Sequence, residues 1–308
     1  MSKIVIALGG NALGKTPYEQ LELVRQTAKP LADLIAAGHQ LVIAHGNGPQ
    51  VGMIQLGMAT AAKSGAIASD MPFPECGAMS QGYIGYHLQN ALRSELNARG
   101  LRHEVATLVT QVVVSPDDPA FLNPTKPIGA FYTEEEARAL MAERGCVMVE
   151  DAGRGWRQVV PSPMPLDVVE LESVKTFLAA GHTVITVGGG GIPVVRDGSA
   201  CRGVAAVIDK DFASERLAEL VGADQLVILT AVDRVVLNFG RPNAQPVARM
   251  TADEAEKYCA EGHFAPGSML PKVQAALRFA RFGGRAVITS LEKASEALSG
   301  EFGTVIEG

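Results

Sequence analysis

Short apolar, β-branched runs alternate with longer stretches of helical periodicity along almost the whole chain. The runs at Ile4–Leu8, Gln40–Ala44, Glu104–Val113, Thr183–Val187, Leu226–Thr230 and Ala286–Thr289 predict strands. Apolar positions recurring every three to four residues predict helices over Pro17–Ala37, Gly48–Ala62, Cys76–Arg99, Leu166–Ala180, Phe212–Val221, Thr251–Glu261 and Ser268–Phe282. This alternation predicts an α/β fold with a largely parallel sheet covered by helices on both faces.

The rhythm breaks between Ser115 and about Pro165, a proline-rich stretch holding one short helix. Thr133-Glu134-Glu135-Glu136 opens that helix as a capping box. The stretch also carries Phe121, Phe131, Tyr132 and Trp156, so it reads as a small subdomain standing off the sheet rather than a linker. Elsewhere the chain echoes itself. "IAAGHQLVIAHGNGP" and "LAAGHTVITVGGGG" share one grammar: a helix ending at glycine, a histidine, a strand and a glycine turn. Two such units place their glycine turns at the same, C-terminal, edge of a sheet, where α/β folds bind ligands. His39 and His182 fit helix ends or strand starts in that grammar.

A length of 308 residues predicts one large domain or two lobes, and 47% hydrophobic against 19% charged residues suits a large core. A net charge of −6 and scattered aromatics leave no basic stripe, which argues against nucleic acid as a partner. Cys76, Cys146, Cys201 and Cys259 form no C-x-x-C pair and read as small hydrophobes of a reducing compartment. No apolar run approaches the roughly 18 residues of a membrane span. Strand-like sequence from Lys3 leaves no room for a signal peptide, and a cytoplasmic location is expected.

Candidate chemistry begins at the glycine turns: Gly9-Gly10-Asn11, Gly46-Asn47-Gly48 and Gly188 to Gly191. Positive φ accounts for a pair of glycines. Four in a row cost backbone entropy, and approach of an oxyanion to several N–H groups explains them better. Three lysines sit in rigid, polar-poor settings: Lys126 in "NPTKPIG", Lys210 in "VIDKDF" and Lys272 in "GHFAPGSMLPK". Together they suggest a cationic clamp for transferring phosphoryl oxygens. Asp209 could orient the clamp or sit near Mg²⁺, and helix N-capping is the competing reading for both Asp209 and Asp211. "LVILTAVDRV" ends a buried strand in a short polar turn suited to a nucleotide. His45 and His263 lack partners in the sequence and read as structural or substrate-contact groups.

"GNALGKT" fits the Walker template G-x-x-x-x-G-K-[ST]. However, Thr16-Pro17-Tyr18-Glu19 is a capping box with Pro at N1, which commits the Thr16 hydroxyl to the helix and leaves Lys15 outside it. A P-loop NTPase is therefore disfavoured.

The set "ALGGNAL", "HGNGPQVG", "MSQGYIGYHLQNAL", "NPTKPIG", "EDAGRGWRQVVPSP", "VGGGGIPVV", "AVIDKDFASERLAEL", "LVILTAVDRV" and "GHFAPGSMLPK" closely resembles the carbamate kinases of the amino acid kinase family. The resemblance extends to Gly303-Thr304. It implies a three-layer αβα sandwich around a mainly parallel open sheet, with a small protruding subdomain and a homodimer. It implies one domain over residues 1–308, with a carbamate and phosphoryl lobe to about 205, a protruding subdomain at about 115–165 and a nucleotide lobe from about 206. The implied reaction is reversible phosphoryl transfer between ATP and carbamate, giving ADP and carbamoyl phosphate, with Mg²⁺ carried by the nucleotide and contact with Asp211 left open. Lys126, Lys210 and Lys272 would bind the phosphates, with Asp209 holding the lysines in place. Gly9, Gly10, Asn11, Gly48, Gly188 and Gly189 would surround carbamate and the phosphoryl group. Ala231, Val232, Asp233, Tyr258, Met269 and Lys272 would lie around the nucleotide. Two departures stand out: Ser115 where the family usually has an acidic residue, and a short loop after Asn11. A kinase of another small carboxylate and a non-catalytic ATP-binding regulator are the competing readings.

Overall fold

The computed structural model describes residues 2–308 apart from Asn11, Ala12, Lys15 and Ala152. Asn11 and Lys15, both singled out above, lie outside the described residues. The first half of the chain contributes β1 (Lys3–Leu8), α1 (Pro17–Ala36), β2 (Gln40–His45), α2 (Gly48–Lys63), α3 (Phe73–Ala98), β3 (Val105–Thr107) and β4 (Gln111–Val113). Next come β5 (Lys126–Tyr132), α4 (Glu134–Arg144), β6 (Val147–Glu150), β7 (Trp156–Val160), β8 (Asp167–Val168), α5 (Leu171–Ala179) and β9 (Thr183–Ile185). The remainder is β10 (Ile192–Asp197), β11 (Ala200–Gly203), α6 (Lys210–Val221), β12 (Gln225–Thr230), β13 (Val235–Leu237) and β14 (Gln245–Val247). It closes with β15 (Arg249–Thr251), α7 (Ala252–Ala260), α8 (Met269–Arg281), β16 (Arg285–Ser290), α9 (Ala294–Ser299) and β17 (Thr304–Glu307).

The main sheet has the order β15-β17-β16-β12-β1-β2-β9-β3. Its pairs are parallel except β16–β17. Because side chains alternate across a strand, β1 feeds two cores. Val5 and Ala7 join a cluster with Leu217 of α6 and Val273 of α8. Ile4, Ile6 and Leu8 face Val24 and Leu31 of α1 and Leu88 of α3. Helices therefore cover both faces, and the expected three-layer α/β sandwich is present.

Several predicted elements have different bounds. Glu104–Val113 is not one strand: β3 ends the main sheet, and after Thr110 the chain enters a second sheet, ordered β11-β10-β4-β8. The start of the predicted helix at Leu166 is instead strand β8, paired antiparallel to β4. The strand expected to reach Val187 stops at Ile185, ahead of a tight turn at Gly188–Gly190. Of the four cysteines, all free, only Cys76 is buried.

The proline-rich stretch forms a three-stranded antiparallel sheet, β5-β7-β6, with α4 beside it. Thr133 and Glu136 cap α4 reciprocally, as expected. This unit docks on α2 where backbone meets backbone: a Cβ at Gly52 would stand 2.2 Å from Gly129 Cα. Ile128 and Val160 meet Val51 and Val207 in a small core that fixes its position over the main sheet.

Helices α6 and α8 pack side by side, and Glu215 of α6 is fully buried between them, accepting from Arg278 Nε at 3.1 Å. Burial, helped by neighbouring Glu219, pushes its carboxyl up to about 8. The folded-state value lies above the unfolded one, so Glu215 favours folding at low pH. That contribution is complete below about 4.5 and is lost as pH rises through about 8. Thermal unfolding should therefore show stability declining from about pH 5 to 8, by on the order of a few kcal/mol, and levelling off above that. Glu215→Gln should flatten that decline, and an unchanged slope would contradict the assignment.

Candidate active site

The parallel strands β1, β2, β9 and β12 all end at one edge of the sheet. Helices α6 and α8 run back to the starts of β12 and β16, so their N-termini lie at the same edge. The protruding sheet reaches over it. Between these parts is a cavity of about 270 Å³. Gly10, Gly48 and Gly189 line it, together with Lys126, Asp209, Lys210, Asp211 and Lys272.

The charges are organised by two aspartates. Asp211, almost fully buried, accepts from Lys210 Nζ at 2.6 Å through one oxygen and from Lys272 Nζ at 2.9 Å through the other. It joins the first turns of two helices that are far apart in sequence. Burial alone would raise its carboxyl, but the two ammonium groups hold it well below the usual carboxylate range. Lys210, deeper in the protein, is pulled below the ordinary lysine value by burial. Lys272 also suffers burial, yet Asp211 keeps it above that value.

At Asp209 the structure combines the helix-capping role with a lysine partner. This residue is the N-cap of α6, accepting from Asp211 N at 2.9 Å, and it pairs with Lys126. The lysine pair is held by Asp211, and Asp211 is not the helix cap. With both its oxygens engaged by ammonium groups, Asp211 does not fit as a metal ligand here. No cluster of three or more His, Cys, Asp or Glu suited to a metal occurs among the described residues.

Two further cations line the cavity, Arg154 and Arg157 from the "DAGRGWR" stretch. Asp151 anchors both, accepting from Arg154 at 2.8 Å and from Arg157 at 3.2 Å. Sequence reading used the stretch only as a family mark, because arginines in a glycine-rich loop look like solvated charge. Five cations and three carboxylates leave the described cavity wall with a net charge of +2 when all are ionised. The chain as a whole is at −6. A pocket so biased attracts a small anion with several oxygens.

The four-glycine loop also has an explanation that the sequence did not supply. Cβ atoms there would meet His45 Nε2 at 2.3 Å from Gly188, Asn47 Nδ2 at 2.1 Å from Gly189, Ile208 O at 2.2 Å from Gly190 and Val112 Cγ2 at 2.2 Å from Gly191. Close packing on every side therefore requires all four, and of these glycines Gly189 lines the cavity. The preceding Val187 sits at φ 43°, ψ 33°, a left-handed conformation that strains a β-branched residue by on the order of 1–3 kcal/mol. His45 donates from Nδ1 to Gly46 O at 2.9 Å, and burial lowers its imidazole to about 4, so it is neutral near pH 7.

The remaining expected site residues among those described do not line this cavity. Gly9 and Ala231 share a neighbouring hollow of about 360 Å³. A Cβ at Gly9 would meet Leu229 O at 2.6 Å. Asp233 accepts from Ser290 Oγ at 2.6 Å, which ties the loop containing Val232 to the end of β16. Tyr258 and Met269 pack partly buried on the core cluster beneath α7 and α8. His182 packs at a tilt against Phe177, and His263 meets Tyr258 edge to face, consistent with structural roles.

Residues 2–290 match the amino acid kinase family, and the chain belongs to it. Among its relatives, the carbamate kinase-like protein YqeA of Escherichia coli K12 is 57% identical over 99% of this chain and 98% of its own length. The carbamate kinase of Staphylococcus haemolyticus is 56% identical over the whole of both chains. The solved carbamate kinase of Giardia lamblia bound to AMP-PNP superposes with a TM-score of 0.90, at 43% identity over 99% of this chain and 98% of that one.

Proposed function

We propose that this protein is a carbamate kinase, which transfers a phosphoryl group reversibly between ATP and carbamate to give ADP and carbamoyl phosphate. The observation that carries the reading is the net +2 cavity, built on Asp211-bridged lysines, within a chain of net charge −6. Relatives named as carbamate kinases, one of them solved with an ATP analogue, support it.

A carbamate oxygen attacks the γ-phosphorus, and the bond to the bridging oxygen breaks with its electron pair leaving on ADP. Carbamate is already an anionic nucleophile, so no proton need be removed, and neutral His45 is not required as a base. Charge neutralisation and alignment are the protein's task. Lys210 and Lys272 bind the phosphoryl oxygens, and Lys126 approaches from the protruding unit. Gly9, Gly10, Asn11, Gly48, Gly188 and Gly189 surround carbamate and the phosphoryl group. Ala231, Val232, Asp233, Tyr258, Met269 and Lys272 hold the nucleotide, which places the nucleotide in the part from about residue 206 onward. Mg²⁺ enters with the nucleotide and offsets phosphate charge. We further propose a cytoplasmic homodimer working toward ATP in catabolism. Among the described residues, no helix is long and apolar enough to cross a membrane.

The test is phosphoryl acceptance from ATP in ammonium bicarbonate solutions, which contain carbamate, against aspartate, N-acetylglutamate and UMP. ADP should appear with carbamate alone. ADP with another carboxylate but none with carbamate would favour a kinase of that acid. ATP binding without turnover on any acceptor would favour a regulator.

Lys126 contributes a charge to the phosphoryl donor rather than part of the buried pair. Lys126→Ala should raise KM for carbamoyl phosphate by about 10- to 100-fold, with a smaller effect on KM for ADP. Initial-rate kinetics check this, and an unchanged KM would remove the protruding unit from substrate binding.

A further inference from the structure

One residue outside the glycine loop and the cavity wall grips both ends of that loop. Thr110, in the segment between β3 and β4, is fully buried. Its hydroxyl accepts from Val187 N at 2.8 Å, and its carbonyl accepts from Ile192 N at 2.9 Å. Gln81 of α3 fixes Thr110 in turn, accepting from its N–H at 2.9 Å and donating to its carbonyl at 3.1 Å.

The grip at Val187 has a consequence for the loop. A β-branched residue avoids the left-handed region unless its surroundings impose it. Within the loop, Gly190 N donates to Val187 O and Gly191 N to Gly188 O. The bonds that close the turn come from the N–H groups of Gly190 and Gly191, not from those of Gly188 and Gly189, and Gly189 lines the cavity. The direction of the Gly188 and Gly189 donors follows from the backbone angles at Val187.

We infer that Thr110 is a positioning residue for phosphoryl transfer. By holding Val187 left-handed and tying both loop ends, it aims the Gly188 and Gly189 N–H groups at an oxyanion in the cavity. Without its hydroxyl, Val187 relaxes to an ordinary backbone conformation and the two donors turn away. The inference takes its chemistry from the proposed kinase activity, but the aiming of the loop has a readout that needs no turnover.

Thr110→Val preserves shape and carbonyl and deletes the hydroxyl, whereas Thr110→Ser keeps the hydroxyl. Two measurements are made on each: kcat for ATP formation from ADP and carbamoyl phosphate, and the amide shifts of ¹⁵N-glycine-labelled protein titrated with inorganic phosphate. In the wild type and Thr110→Ser, phosphate should shift the Gly188 and Gly189 amides, with kcat equal within about threefold. Thr110→Val should lose those shifts and about 100-fold in kcat, with KM for ADP unchanged. Adding Val187→Gly should recover about tenfold, because glycine adopts positive φ unaided. Thr110→Ala serves the same comparison if the valine variant does not fold. Normal shifts and kcat in Thr110→Val, a serine variant as impaired as the valine one, or no recovery with Val187→Gly would overturn the inference. Wild-type protein whose glycine amides respond to phosphate but which makes no ATP would overturn the kinase reading and still support the aiming of the loop.

Discussion

Lys210→Ala is expected to lower kcat for phosphoryl transfer by about 10³-fold while the protein stays folded. Lys210 stands at the first position of α6, enclosed by the glycine turns, with its ammonium 2.6 Å from Asp211. Placed there, a charge costs desolvation, as its lowered pKa shows. An oxyanion arriving in the cavity returns that cost, and most fully in the transition state, where charge spreads over the phosphoryl oxygens. Removal leaves Asp211 paired with Lys272, so the fold keeps a compensated carboxylate. The loss should therefore appear in kcat rather than in stability. Lys210→Arg retains the charge but not the compact ammonium, and it should recover little activity. Initial rates and thermal unfolding read the two effects separately, and a kcat within threefold of wild type would exclude Lys210 from the chemistry.

Asp211→Asn should have the opposite profile, a large loss of stability as well as of activity. The change places an amide N–H₂ against one of two buried ammonium groups and removes the negative charge that bridges them. Breaking a buried ionic cluster in this way costs about 3–5 kcal/mol, which corresponds to a melting-temperature drop on the order of 10 °C for a domain of this size. An added anion can take over the missing charge. Inorganic phosphate should therefore raise the melting temperature of Asp211→Asn more than that of the wild type. Equal stability of the two proteins without phosphate would mean that Asp211 does not hold the lysines.

Much of this was visible in the sequence, for physical reasons. Continuous β-branched runs such as Ile4–Leu8 and Leu226–Thr230 marked the central strands because both faces of that sheet are buried. The Thr16 capping box fixed the start of α1, and the structure has both its reciprocal bonds. This disposes of the Walker match better than the template argued for it. The small sheets were not legible, since strands of two to four residues such as β8 and β11 carry too few positions to show a period. Thr110 interrupts what reads as one strand, and only its tertiary bonds to Val187 and Ile192 reveal why.

In the site, rigid settings singled out Lys126, Lys210 and Lys272, which the structure gathers around one cavity. Their carboxylate partners did not follow from sequence, because Asp209 and Asp211 both adjoin Lys210 and adjacency does not choose between them, whereas the fold gives Lys210 to Asp211. Asp211 also meets Lys272, 61 residues away. Arg154 and Arg157 were likewise in view but lacked their context, the fold of the protruding sheet back over the central strands.

The most direct test of the central claim is the initial rate of ATP formation from ADP, Mg²⁺ and carbamoyl phosphate by the purified, full-length protein. Turnover within the ordinary enzymatic range of about 1–10³ s⁻¹ is predicted. A folded protein that binds ADP but forms ATP no faster than the uncatalysed mixture would contradict it.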